Sequence, residues 1–250
     1  MLGSSKALPI LAYHALRAID QTNLPPQWSS SHAVSVTVFQ EHLRSLKEGG
    51  WQTLLPSALE ANEWVGLDKP IVLTFDDGHL SDVAAAELIM AYGYRAIFYI
   101  PIANLNSSWF IGRTEVANLT AQGFGIGSHG LTHSRLTDHL DLELWHELRR
   151  SKELLEDLIG KPVNDLAVPF GAYDRRVIRI ANKVGYKRIV TSDIGVARPS
   201  KSAVLPRLPV TSRTTERDFE RLLSLGAFGA TFLRYSTAIP RRWRRLRSDV

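Results

Sequence analysis

Short apolar runs alternate with helix-forming stretches along most of this 250-residue chain. The runs are "ILAYHAL", "IVLTF", "AIFYI", "FGIGSHG", "DLAVPFG" and "KRIVTS". The stretches among them are "TVFQEHLRSLKEGG", "SDVAAAELIMAYG", "TEVANLTAQG", residues 138–159, "DRRVIRIANKVG" and "TTERDFERLLSL". A run such as "IVLTF" lacks polar alternation, so both of its faces need cover, as in a strand of a parallel sheet flanked by helices. Parallel neighbours need right-handed crossovers, which the intervening helices supply. About six or seven β-α units can be counted, and polar residues close the ends of at least four strands. That pattern predicts a single-domain α/β fold, a distorted (β/α) barrel of about seven parallel strands, rather than an open doubly wound sheet. Turn chemistry sets the expected helix limits. Thr37 and Gln40 have capping-box spacing, Asp174 reads as a cap, and Gly49-Gly50, Gly93, Gly160 and Gly185 read as stops. The barrel is expected over residues 1–225, with 226–250 as a basic tail.

A hydrophobic content of 44% suffices for one sizeable core, and a charged fraction of 22% argues against disorder. The net charge of +5 is concentrated: "RRWRRLR", Arg241 to Arg247, holds five arginines, and without it the charges balance. The body is therefore not expected to bind nucleic acid. The tail mixes aromatics with arginines and suits peripheral contact with an anionic membrane or acidic polymer; the alternative is a solvated basic end. With 0 cysteines, disulfides and thiolate metal sites are excluded. The first residues lack the apolar core of a signal peptide, so the chain as written reads as cytoplasmic; a chain that had lost its leader would read the same way. Composition is silent on oligomeric state.

The residues that follow each strand carry the chemistry. After "ILAY" comes His14, after "VLTF" come Asp76 and Asp77, after "FGIGS" come His129 and His133, after "DLAV" come Pro169, Phe170 and Gly171, and after "RIVTS" comes Asp193. In a parallel barrel these ends share one face. Two adjacent carboxylates at the end of a buried strand repel each other and require a positive partner. One carboxylate and two histidines from different strands can converge into three N/O ligands with an open fourth position, the arrangement of catalytic zinc. One aspartate can then bind the cation while the other stays ionised beside it. Taken singly, each motif has a bland reading: "DDG" is a common turn, and "GLT" between the histidines is a poor helix segment.

"LTFDDG", "GSHGLTH" and "AVPFGAYD" resemble, in order and spacing, the motifs of the polysaccharide deacetylase (NodB-homology) family, across about residues 7–210. The resemblance implies a distorted (β/α) barrel, one divalent metal, usually zinc, and hydrolysis of N-acetyl groups from amino sugars. By position, Asp76 looks like the general base. Asp77, His129 and His133 look like the metal ligands. The backbone N–H near Phe170, after Pro169, looks like an oxyanion donor. Two departures stand out. The usual arginine of the third motif is replaced around Ala167 and Val168, and the usual histidine of the last motif is missing from "LPRLPV", Leu205 to Val210. An early "YH" and a Pro-aromatic-Gly third motif are similar to the biofilm poly-N-acetylglucosamine deacetylase branch. That likeness makes His14 the candidate acid.

A first strand that pairs with the last would bring His14 to the vacated position, with Asp193 as a candidate partner. Arg207 is a candidate tether for Asp76, against the plainer reading of a rim salt bridge. Trp109, Phe110 and Tyr173 are placed to stack on a sugar; their plain alternative is loop packing. His79 and His139 have no assigned role. The expected partner is an N-acetylated glycan. The competing readings are another amidohydrolase acting on a non-sugar or cyclic amide, and a catalytically inactive glycan-binding module.

Overall fold

The structure, a computed structural model, describes residues 7–17, 25, 28–60, 63–198 and 203–228. The arginine-rich tail and its expected membrane contact lie outside the described residues. The strands are β1 (Ile10–Tyr13), β2 (Ala15–Arg17), β3 (Ala33–Ser35), β4 (Gln52–Thr53), β5 (Pro70–Asp76), β6 (Ile97–Ile100), β7 (Gly125–Ser128), β8 (Asp165–Ala167), β9 (Arg188–Ile194) and β10 (Val204–Pro209). The helices are α1 (Val36–Glu48), α2 (Asp82–Ala91), α3 (Arg113–Ala121), α4 (Asp141–Ile159), α5 (Arg175–Val184) and α6 (Glu216–Phe228).

Seven parallel strands close on themselves in the order β1-β5-β6-β7-β8-β9-β10, with β10 returning to β1. Leu11 lies opposite Leu208 on one side and Leu73 on the other. The first strand does pair with the last. Short β4 extends the start of β5, and β2 and β3 form a separate two-stranded sheet.

Strand alternation divides the core into two. Ile10, Val72, Ile97, Tyr99, Val190 and Leu205 pack together as one cluster, with the residues between them, such as Leu11, Leu73, Phe75 and Phe98, in a second cluster that includes helix side chains. The first is the barrel filling and the second the layer under the helices. Thr74 and Asp76 share the parity of Val72, so β5 directs its terminal carboxylate into the top of the barrel. Arg207 shares the parity of Leu205 and meets it there.

Two local expectations are corrected. "ILAYHAL" is not one strand: it breaks at His14 between β1 and β2, whose partners differ. Helix α1 begins at Val36 under the Ser35 side chain, which accepts from the Val38 N–H at 3.2 Å, so Thr37 and Gln40 form no capping box. "LPRLPV" supplies the seventh barrel strand despite two prolines; the register shifts between Leu205 and Arg207, with the extra residues on β9 opposite Pro206. The Asp174 cap is present, its carboxylate accepting from the Val177 N–H at 2.8 Å.

Candidate active site

The site is built at the C-terminal ends of β5, β7, β8 and β10, with β1 alongside. Asp77 follows the last residue of β5 and turns out of the sheet with φ 77°. His133 and Phe170 are likewise left-handed, at φ 57° and 58°, so three of the four described non-glycine residues with positive φ belong to this one site. The left-handed region costs about 1–2 kcal/mol per non-glycine residue, and such strain gathers where geometry serves function.

One oxygen of Asp77, Oδ1, lies 3.1 Å from His129 Nε2 and 2.9 Å from His133 Nε2. All three ligand atoms fall within 4.8 Å of one another. His129 Nδ1 is 2.9 Å from the Ala167 carbonyl, which can only accept; Nδ1 therefore carries a proton, and Nε2, which donates to Asp77 here, is the nitrogen that would face a metal once it gives up its proton. One carboxylate and two imidazoles, all with N or O donors, fit a divalent cation such as zinc. Among the described residues no other group of three or more such side chains meets this geometry.

Asp76 points away from this trio and into the barrel mouth, where Arg207 grips both of its oxygens at 2.7 and 2.6 Å. The guanidinium is itself fixed by the Thr191 carbonyl at 3.0 Å and the Thr74 hydroxyl at 3.1 Å. Burial raises the Asp76 carboxyl, but the charges of Arg207 and His129 outweigh it, and the group is held below its usual range. Burial also opposes ionisation of Asp77, yet hydrogen bonds from His129 and His133 hold it well below the ordinary value. Behind them Asp82 opens α2 fully buried. Burial first, then the charges of Asp77 and Asp76, push its carboxyl well above the usual range.

His14 stands in the break between β1 and β2, and the neighbouring Ala12 carbonyl accepts from the Val210 N–H at 2.9 Å. It stacks on His32 with centroids 4.7 Å apart and contacts the edge of Trp28 at 6.5 Å. Trp28 reaches on to His79 and Phe110, at 5.4 and 6.3 Å. His32 and Trp28 escape sequence reasoning because neither ends a barrel strand nor belongs to a motif. Asp193 pairs with Tyr173 through the phenol O–H, so the partner expected for His14 is engaged by another side chain. Pro169 is buried and Phe170 is 53% exposed, its ring 4.7 Å from that of His133. Gly171, at φ 65°, abuts Ser192: a Cβ there would stand 2.6 Å from that side chain. Trp109 is half-buried, its carbonyl accepting from the Leu80 N–H at 3.0 Å. His79 is buried beneath Trp28 and bonds Ser81, and His139 bonds Ser134.

Residues 66–189 match the family described as Polysaccharide deacetylase. Bacillus subtilis YxkH, named for polysaccharide deacetylation, is 24% identical over 194 residues, 76% of this chain and 66% of that protein. The chitooligosaccharide deacetylase of Azorhizobium caulinodans is 27% identical over 128 residues, 48% of this chain and 56% of that one. The chain thus spans just under two thirds and just over half the length of these curated relatives. The structure of Streptococcus pyogenes deacetylase PplD in complex with acetate superposes with a TM-score of 0.79 at 22% identity, covering 88% of this chain and 99% of that one. That likeness is one of fold. No helix among the described residues is long and apolar enough to cross a membrane.

Proposed function

We propose that this chain, whose residues 66–189 match the polysaccharide deacetylase family, hydrolyses the N-acetyl group of an amino sugar in a polysaccharide or glycolipid, with one zinc ion held by Asp77, His129 and His133. The observation that carries this reading is the division between two adjacent carboxylates: Asp77 faces both imidazoles, and Asp76 is turned aside and held ionised by Arg207. When bound, the ion supplies Lewis acidity, polarising the amide carbonyl and acidifying water. Asp76 takes the proton of the attacking water. Arg207 keeps that carboxylate charged and oriented, the task of the arginine missing from the third motif. The amide of Phe170, in the turn after the Ala167 carbonyl that orients His129, is the donor to the developing oxyanion. His14 gives a proton to the leaving amine, and the His32 ring stacked on it fixes its plane. Trp28, Phe110, Trp109, Tyr173 and Phe170 offer ring faces to a sugar at the mouth.

The intact aspartate, both histidines and the Asp76–Arg207 pair together argue against an inactive glycan-binding module. The test is acetate release from N-acetylglucosamine oligomers by zinc-reconstituted protein. His14→Ala should bind zinc as tightly as wild type, lose about two orders of magnitude in rate, and lose the basic limb of the pH–rate profile. Wild-type rates with an unchanged profile would remove His14 from the chemistry. No acetate from zinc-loaded wild type would remove the reading itself.

A further inference from the structure

The loop that carries His133 has no regular structure of its own, and its shape is imposed from α4. A single oxygen of the buried Glu147, Oε1, accepts from the Leu131 N–H at 2.9 Å, the Thr132 N–H at 2.7 Å and the Thr132 hydroxyl at 3.0 Å, with the Ser134 hydroxyl at 3.5 Å. One turn further along α4, the buried Ser151 hydroxyl donates to the Gly130 carbonyl at 2.8 Å and lies 2.8 Å from Ser128 Oγ. Ser128 Oγ in turn accepts from the Gly130 N–H at 3.1 Å. Ser134 is also tied to His139 Nε2 at 2.6 Å. Gly130, at φ 78°, lets the chain run close over the carboxylate: a Cβ would stand 3.2 Å from Glu147 Oε1.

Residues 130, 131, 132 and 134 are therefore all pinned, and His133 is left as the member of the loop whose side chain reaches Asp77 instead. A buried carboxylate is costly unless its lone pairs are filled, and charge-assisted bonds to three donors fill them while fixing direction. Nothing in this network touches the place where substrate would react. Its consequence falls on where His133 Nε2 stands.

We propose that Glu147 is a positioning residue for the metal site, acting with Ser151 as a clamp that holds the 130–134 loop so that His133 serves as the third ligand. The inference rests on the zinc reading above. It is tested by cobalt titration of the full chain, following both the affinity and the visible absorption of bound cobalt. Glu147→Ala should weaken cobalt binding about 10- to 100-fold and alter the cobalt spectrum toward one fewer imidazole ligand. Glu147→Gln keeps a side-chain oxygen that accepts from the same donors and should restore most of the affinity and the wild-type spectrum. Ser151→Ala should show a smaller loss in the same direction. It also carries the test together with Thr132→Val if Glu147→Ala does not fold. Wild-type affinity and spectrum in folded Glu147→Ala, or in both substitute variants, would overturn the proposal. Failure of the wild-type chain to take up cobalt would instead overturn the metal reading on which it rests.

Discussion

Two buried aspartate–arginine pairs sit at opposite ends of the same barrel. At the C-terminal end Asp76, the last residue of β5, is gripped by Arg207 of β10 at 2.7 and 2.6 Å. At the N-terminal end Asp165 and Arg188, the first residues of β8 and β9, pair at 2.5 and 2.8 Å. Their neighbours differ. Around Asp76 burial and the neighbouring Asp77 oppose charge, but Arg207 and the histidines outweigh them, and its carboxyl is held low. Around Asp165 burial dominates and Glu60 adds repulsion, so despite Arg188 the carboxyl is raised. Arg188 also reaches the partly exposed Glu60 at 2.5 Å, whereas Arg207 makes its further hydrogen bonds to Thr191 and Thr74 inside the barrel. The same two residue types thus close the barrel floor at one end and, at the other, hold the carboxylate proposed as the base in its charged form. The pair that faces the ligands is the one whose environment favours charge.

The largest separation between the pairs is expected on removing the arginines. Arg207→Met leaves Asp76 buried without its counter-charge. Stability should fall by about 3–5 kcal/mol in denaturant titration, and acetate release by about a hundredfold or more. The rate should recover partly at higher pH, because the unpaired acid titrates upward. Arg188→Met should cost about 2–3 kcal/mol, less because Glu60 opens that end to water, and should leave zinc content and acetate release at wild-type level. Equal loss of activity in the two variants would erase the distinction.

A smaller effect checks that acid sensitivity near neutrality arises from neither catalytic group. His42 on α1 is buried against Phe219, its Nδ1 3.2 Å from the Tyr13 hydroxyl, and burial lowers it to about 4. The unfolded chain protonates this side chain near pH 6.5 and the folded one does not. Its stabilisation is therefore complete above about 6.5 and is lost as pH falls toward 4, by roughly 3 kcal/mol. Asp76, being depressed, adds its own loss only as pH falls below the ordinary carboxylate range. Stability measured against pH should lose its slope between these limits in His42→Gln. An unchanged slope would assign the acid sensitivity elsewhere.

The barrel is legible in the sequence because both-face burial leaves a mark on every strand: "IVLTF" and "AIFYI" admit few other environments. The ligand trio is legible because Asp77, His129 and His133 each follow a strand end, and parallel topology makes those ends neighbours. Arg207 is harder to read. It lies between prolines in a stretch that discourages a strand assignment, and only the register shift against β9 and the closure of β10 onto β1 bring it to Asp76. His32, Trp28 and Glu147 leave no local signal at all. Their positions depend on how the segment leading into β3 lies against the barrel and on the rotation of α4, which no spacing encodes. Asp193 shows the opposite failure: its place at the end of β9 is readable, but its choice of Tyr173 over His14 is a matter of side-chain reach.

The central claim is that neighbouring carboxylates, Asp76 and Asp77, do different work, and metal content after zinc reconstitution reads it most directly. Asp76→Asn should retain one zinc per chain, with acetate release lowered by about a hundredfold or more, and Asp77→Asn should lose the zinc. Zinc lost from Asp76→Asn and kept by Asp77→Asn would contradict the account.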